Sequence, residues 1–262
     1  MQFFIPQDAK SLKIKDGFVK VAQKLKFASI KVGVIDCDKY EDVCASQGFR
    51  SYPAFKFYFD GKSKSFDDQS ITSKAILQFV EESIPSHVVN LRLSGHIEEL
   101  LQKQKMSAVY VNPEYETPLW LKSAGYRYRD KFALGEIRGP NEKLHQLLHI
   151  ARAPSVHIYC GDKDALETFD GDASDQSAVL RFLERFPLSR CKELTKKAQQ
   201  TQLKRKQAAQ GAKRLSASEL QKKRVSELRD IVTELGIPLT GLLEKEDFVK
   251  AITGARSASV EL

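Results

Sequence analysis

One stretch constrains this chain more than any other: residues 32–59, VGVIDCDKYEDVCASQGFRSYPAFKFYF. It opens on an apolar, β-branched run over 32–36 that reads as a buried strand. A short helix over 39–47 follows and stops at Gly48, where a C-terminal glycine belongs. An aromatic strand over 54–59 closes on the turn Asp60-Gly61. Between helix and second strand stands Ser51-Tyr52-Pro53. A proline directly before a strand has no N–H for the ladder and marks a turn, often a cis one.

Ile35-Asp36-Cys37, Cys44, Gly48-Phe49 and Tyr52-Pro53 fall in order on a known pattern. It reads strand, "V-D-C", short helix with a second Cys, "G-V-x-x-Y-P-T", strand, turn. The stretch thus resembles the thioredoxin fold as used by protein disulfide isomerases. The resemblance implies a cis Tyr52-Pro53 bond facing an active site. Cys37 and Cys44, seven apart, also recur in those relatives as a pair that can be oxidised. A bridge there adds roughly 2–3 kcal/mol by the chain-entropy account and needs an oxidising compartment. Two buried free thiols remain the open alternative.

The resembled family carries "F-Y-A-P-W-C-x-x-C" ahead of its first long helix. Here Phe3-Phe4-Ile5-Pro6 align, Gln7 replaces the Trp, and the two cysteines become Asp8 and Ser11. The degenerate turn is Asp8, Ala9, Lys10, Ser11. Dithiol exchange needs an attacking thiolate and a resolving thiol; a carboxylate and a hydroxyl supply neither. Either can instead cap a helix expected over 11–25, with Leu12, Ile14, Phe18, Val21 and Leu25 near one face. The family has a strand and a helix before this turn, so the first domain is expected to lack them and the chain to be N-terminally incomplete. The opening MQFFIPQDAK has neither the basic n-region nor the apolar core of a signal peptide.

A short strand over 63–66 and a helix over 73–82 lead to the break Ile84-Pro85-Ser86, placing a first domain at 1–85. Strands over 88–93, 108–112, 131–137, 156–160 and 166–169 then alternate with helices over 97–104, 118–128, 143–148 and 177–186. That alternation predicts a sheet with helices on its faces. The element order repeats the first domain, including Pro154 directly before a central strand. Residues 86–187 resemble a second, non-catalytic thioredoxin-like domain, whose Cys-x-x-Cys position falls near 114–117 and holds no cysteine. Trp120 reads as core. His145 and His149 read as surface histidines, because two ligands alone rarely hold zinc.

The net charge of +8 is concentrated: residues 190–230 hold 13 Lys or Arg against 4 Asp or Glu. Residues 188–222 lack a core-facing stripe and read as a solvated, partly helical basic linker. A polyanion contact is the alternative, but no aromatics interleave to stack bases. Residues 223–256 follow as two helices turning at Gly236. Their "V-x-E-L-R…L-G-I-P-x-x-G-L-x-E-K-E-D-F-V" resembles the SAP-like fold, both the DNA-binding branch and the C-terminal module of mesencephalic astrocyte-derived neurotrophic factor. The Cys-x-x-Cys of that module maps to 239–242 and is absent. The terminal Ser259-Val260-Glu261-Leu262 echoes a retention signal in two letters only.

No run approaches the ~20 apolar residues of a membrane span. No nucleophile elbow, phosphate loop or paired-carboxylate motif occurs, and no cofactor is called for. The expected fold class is α/β: two tandem thioredoxin-like domains plus a small C-terminal helix–turn–helix domain. The expected function is a redox-inactive member of the disulfide isomerase superfamily in the endoplasmic reticulum lumen. It would bind unfolded or partner proteins in a groove at Tyr52, Pro53 and Ala54 beside the 8–11 turn. The competing classes are a residual thiol–disulfide exchanger at Cys37 or Cys44, and nucleic-acid binding through 190–253.

Overall fold

The computed structural model describes residues 1–67, 70–214 and 216–257. The chain divides into two compact units, Met1–Cys191 and Lys192–Leu262.

In the first unit, β1 (Gln2–Phe4), β2 (Val34–Asp36), β3 (Ala54–Phe59) and β4 (Lys62–Ser65) form a sheet ordered β2-β1-β3-β4. β1 lies parallel to β2, and β3 is antiparallel to both β1 and β4. A parallel pair needs a crossover, and α1 (Ala9–Phe27) provides it. Its buried positions Ile14, Phe18, Val21 and Leu25 recur at helical spacing. They pack with Phe55 and with Ile76 and Val80 of α3 (Ser73–Ser83). The other face of the sheet presents Phe3 to Cys37 and to Cys44 of α2 (Glu41–Ala45). The β3–β4 hairpin closes on Asp60 and Gly61, both at positive φ, the conformation a two-residue type I′ turn requires.

A second sheet holds β5 (Val88–Asn90), β6 (Ser107–Asn112), β7 (Ala133–Arg138), β8 (Ser155–Tyr159) and β9 (Leu166–Thr168), ordered β5-β7-β6-β8-β9. Its β7-β6-β8-β9 portion repeats the directions of β2-β1-β3-β4: one parallel pair, then two antiparallel ones. β5 adds a further parallel strand outside β7. The corresponding edge of β2 has no strand partner among the described residues. Helices α4 (Ser94–Lys103), α5 (Leu119–Arg127), α6 (Glu142–Leu147) and α7 (Gln176–Arg185) accompany this sheet. Trp120 is buried, edge-on to Tyr110 at 5.0 Å. The two sheets belong to one α/β body. Ion pairs Lys122–Glu81 (2.7 Å) and Arg129–Asp60 (3.0 Å) and the Phe59–Tyr126 ring contact join its two halves.

α8 (Leu188–Arg214) carries the chain across the division between the units. The second unit continues with α9 (Ala217–Lys222), α10 (Val225–Glu234) and α11 (Lys245–Ser257). Its core is Leu220, Leu228, Val232, Phe248, Val249 and Ile252. Ser216 and Glu219 form a capping box at the start of α9, and Gly236 follows α10 at φ +71°, relieving the steric cost of a left-handed stop. Among the described residues no helix is long and apolar enough to cross a membrane. Residues 259–262, the faint retention signal, lie outside the described residues.

Candidate functional site

The 8–11 turn is a helix start. Asp8 has extended backbone, and its Oδ2 accepts the Ser11 N–H at 2.7 Å. This satisfies one of the donors that the first turn of α1 leaves open. The Ser11 hydroxyl is buried and has no hydrogen-bond partner among the described residues. Lys10 projects into solvent on the same turn.

The Tyr52–Pro53 peptide bond is cis. A groove of about 550 Å³ runs along it, with Lys10, Arg50, Tyr52, Pro53, Ala54 and Asp67 among its lining. The structure thus brings together Lys10 of the degenerate turn and Tyr52, Pro53 and Ala54, which are 42 or more apart in sequence. Asp8, Ala9 and Ser11 do not line it.

The wall of the groove is fixed from below. Phe49 packs on Phe3 at 4.8 Å and stands edge-on to Tyr52 at 6.5 Å. Lys56 Nζ sits 5.0 Å from the Phe49 ring centroid and donates to the Gln47 carbonyl at 3.0 Å. The Tyr58 hydroxyl donates to Gln47 Oε1 at 2.8 Å. Cys37 and Cys44 are joined in a disulfide, buried behind Phe49 and Tyr52 with 6% and 1% exposure. These two cysteines are therefore part of the wall, and neither lines the groove. Above this rigid base, the backbone of Phe49, Arg50, Ser51 and Tyr52 makes no hydrogen bond among the described residues. Exposed main-chain donors and acceptors beside a strand entry are the requirement for adding a peptide strand.

The second sheet has a matching cis bond, Ala153–Pro154. Its 113–118 loop is held by Glu136, a carboxylate with 0% exposure on β7. Glu136 accepts from Asn112 Nδ2 (2.8 Å), the Thr117 hydroxyl (2.6 Å) and Arg138 Nε (2.8 Å), and Arg138 also donates to Thr117 Oγ1. On β8, Ser155 Oγ and His157 Nε2 are 2.8 Å apart, and His157 Nδ1 is 3.0 Å from Thr168 Oγ1. Burial, with His145 nearby, pushes His157 down to about 4. His145, expected at the surface, is only partly exposed, and its Nε2 is buried without a partner among the described residues. The reason is where the helix stops: His145 lies within α6, while His149 falls past its end at φ +56° and stands exposed, 3.9 Å from Asp164. Among the described residues no group of three or more His, Cys, Asp or Glu is placed to hold a metal ion.

Reasoning from sequence missed three features here. Nothing local distinguishes Glu136 from a solvent-facing strand residue. Nothing local marks the 49–52 backbone as unpaired. A bridge between Cys160 and Cys191, 31 residues apart, is present, and no spacing rule announces it.

Residues 8–82 match the sequence model of the thioredoxin family. A putative protein disulfide-isomerase of Dictyostelium discoideum is 23% identical over 195 residues, 71% of this chain and 47% of that protein. The Aspergillus niger protein disulfide-isomerase is 27% identical over 183 residues, 67% of this chain and 34% of its own length. The human DnaJ homolog subfamily C member 10 is 30% identical over 88 residues, 32% of this chain and 11% of its own. The chain therefore spans less than half the length of these curated relatives. Among solved structures, full-length ERdj5 is similar over 69% of this chain and 28% of its own, at 18% identity and a TM-score of 0.39. Human ERp44 is similar over 70% and 50%, at 14% identity and a TM-score of 0.32.

Proposed function

We propose that this chain, with its thioredoxin match over residues 8–82 and its likeness to protein disulfide isomerases, is a redox-inactive polypeptide-binding member of that superfamily. The observation that carries the reading is the open main chain of residues 49–52 beside cis-Pro53, facing a turn with no sulfur. An extended client pairs its backbone with this segment and rests side chains on Tyr52, Pro53 and Ala54. Such pairing uses no thiol. The groove therefore holds the client where dithiol relatives would react with it.

The Cys37–Cys44 bridge does not restore exchange chemistry. Both sulfurs are buried, and an exchange partner must reach one of them in line with the S–S bond. The two bridges instead suit an oxidising compartment, and the endoplasmic reticulum lumen is the location we propose. Within the chain, residues 1–85 form the client-binding domain and 86–187 a second, non-catalytic one. Residues 188–222 are a basic connector, and 223–256 are a SAP-like helical module.

The test is binding of fluorescein-labelled, reduced and carboxymethylated lactalbumin, an unfolded chain with blocked thiols, to the 262-residue chain. Saturable binding is expected, weakened at least tenfold by Ser51→Trp, which fills the groove from an exposed position. Absence of binding, or binding indifferent to Ser51→Trp, defeats the reading.

A further inference from the structure

We infer that the groove beside cis-Pro53 selects extended segments carrying Asp or Glu side chains. The inference rests on the reading of that groove as a polypeptide site.

Its basis is which charges near the groove are already committed. Lys10 and Arg50 both line it and are both exposed. Neither makes an ion pair among the described residues. Lys56 adds a third positive charge behind the Phe49 wall. Three acids of the same domain are engaged away from the groove. Asp8 faces back to cap α1, Asp60 is held by Arg129 at 3.0 Å, and Asp36 accepts from the Asp38 N–H. Asp67 is the one acidic side chain in the described lining. The groove therefore offers free positive charge next to free backbone donors and acceptors.

The two features fit one class of partner. A strand paired with residues 49–52 projects alternate side chains to opposite sides. Acidic residues two apart share one side, so a segment such as Asp-x-Asp presents both carboxylates together toward the rim that carries Lys10 and Arg50. Backbone pairing supplies affinity for any extended chain, and the rim charges supply the preference. Both cations are solvated, so the preference is modest and screened by salt.

The experiment uses the 262-residue chain and three labelled, cysteine-free peptides of about ten residues. They share a Val/Thr/Ser framework and differ in two positions, filled with Asp, Asn or Lys. Fluorescence anisotropy at low and high salt is expected to show the Asp peptide binding about threefold to tenfold tighter than its Asn isostere. The Lys peptide should bind weakest, and the spread should narrow at high salt. The K10E/R50E variant, changed only at exposed positions, is expected to invert the order. Equal binding of the Asp and Asn peptides by the native protein overturns the charge preference while leaving the polypeptide site standing. A preference that survives in K10E/R50E places it elsewhere and equally overturns it. Failure of all three peptides to bind removes the polypeptide site itself. Tighter binding of a short single-stranded oligodeoxythymidine than of the Asp peptide, lost in K10E/R50E, overturns the assignment to peptides.

Discussion

Cys160, at the residue after β8, is bonded to Cys191, in the first turn of α8. The bridge fastens the start of a 27-residue helix to the second sheet. Arg190 adds an ion pair to Glu167 beside it. Closing a loop with a sequence separation of 31 stabilises the folded state by about 3–4 kcal/mol in the chain-entropy account. The double variant Cys160→Ala, Cys191→Ala is expected to lose that much in urea unfolding followed by far-UV circular dichroism. An unchanged unfolding midpoint would show that the bridge constrains nothing the fold does not already hold.

Asp8 and Ser11 sit one turn apart at the N-terminus of a 19-residue helix. Thiols placed there would be driven toward thiolate by the helix end. The native chain is expected to give no acceleration of insulin reduction by dithiothreitol. The Asp8→Cys, Ser11→Cys variant is expected to accelerate it, because cis-Pro53 and its groove are already in place. Native activity lost on Cys37→Ser would assign exchange chemistry to the buried bridge instead.

His157 makes the stability of the second sheet dependent on pH. Its pKa is about 4 in the fold against about 6.5 in an unfolded chain. Between these values the unfolded chain takes up a proton that the folded ring resists. Stability is therefore full above pH 6.5 and falls as pH drops toward 4, by up to about 3 kcal/mol. His157→Gln retains a donor and an acceptor for Ser155 and Thr168 without the titration. Urea unfolding at pH 7 and pH 4.5 is expected to show a smaller pH-dependent loss in the variant than in the native chain.

Glu136 has no exposure and gathers Asn112, Thr117 and Arg138. Removing it takes the acceptor from the Thr117 hydroxyl and Arg138 Nε, while Asn112 Nδ2 keeps the Glu116 carbonyl. Glu136→Ala is expected to cost about 3 kcal/mol, within the range for breaking a buried pair. Glu136→Ala combined with Arg138→Ala should cost less than the two single changes added together, since each single change strands the other partner. Additive losses would show that the pair is not coupled.

Much of the local structure can be read from short-range chemistry. Asp60-Gly61 specifies a tight hairpin because both positions take positive φ. The stripe from Ile14 to Leu25 specifies one buried face on α1. Gly48, at φ +72°, marks the end of the short helix turn before the groove. Helix ends moved by a residue or two: α1 starts at Ala9, since Asp8 and not Ser11 is the cap. The site was legible only in part. Tyr52, Pro53 and the sulfur-free turn stand out in the sequence. The free charges of Lys10 and Arg50 do not, because an ion pair's absence depends on every neighbour in space. Glu136 was invisible for a related reason. A glutamate in LGEIR reads as an outward strand position until β5 and β6 are found on both sides of β7.

Residue order alone determined that this chain would build α/β layers with a proline-entered strand and would place no thiol on its helix-start turn. Covalent identity and backbone preference act over a few residues, so those features needed no knowledge of the rest. The tertiary structure decided what the surviving residues face. It buried two cystines, left the main chain of 49–52 without a hydrogen bond among the described residues, and set Lys10 against Pro53 across a groove. Burial and pairing are properties of neighbours brought together by folding, and no window of sequence contains them.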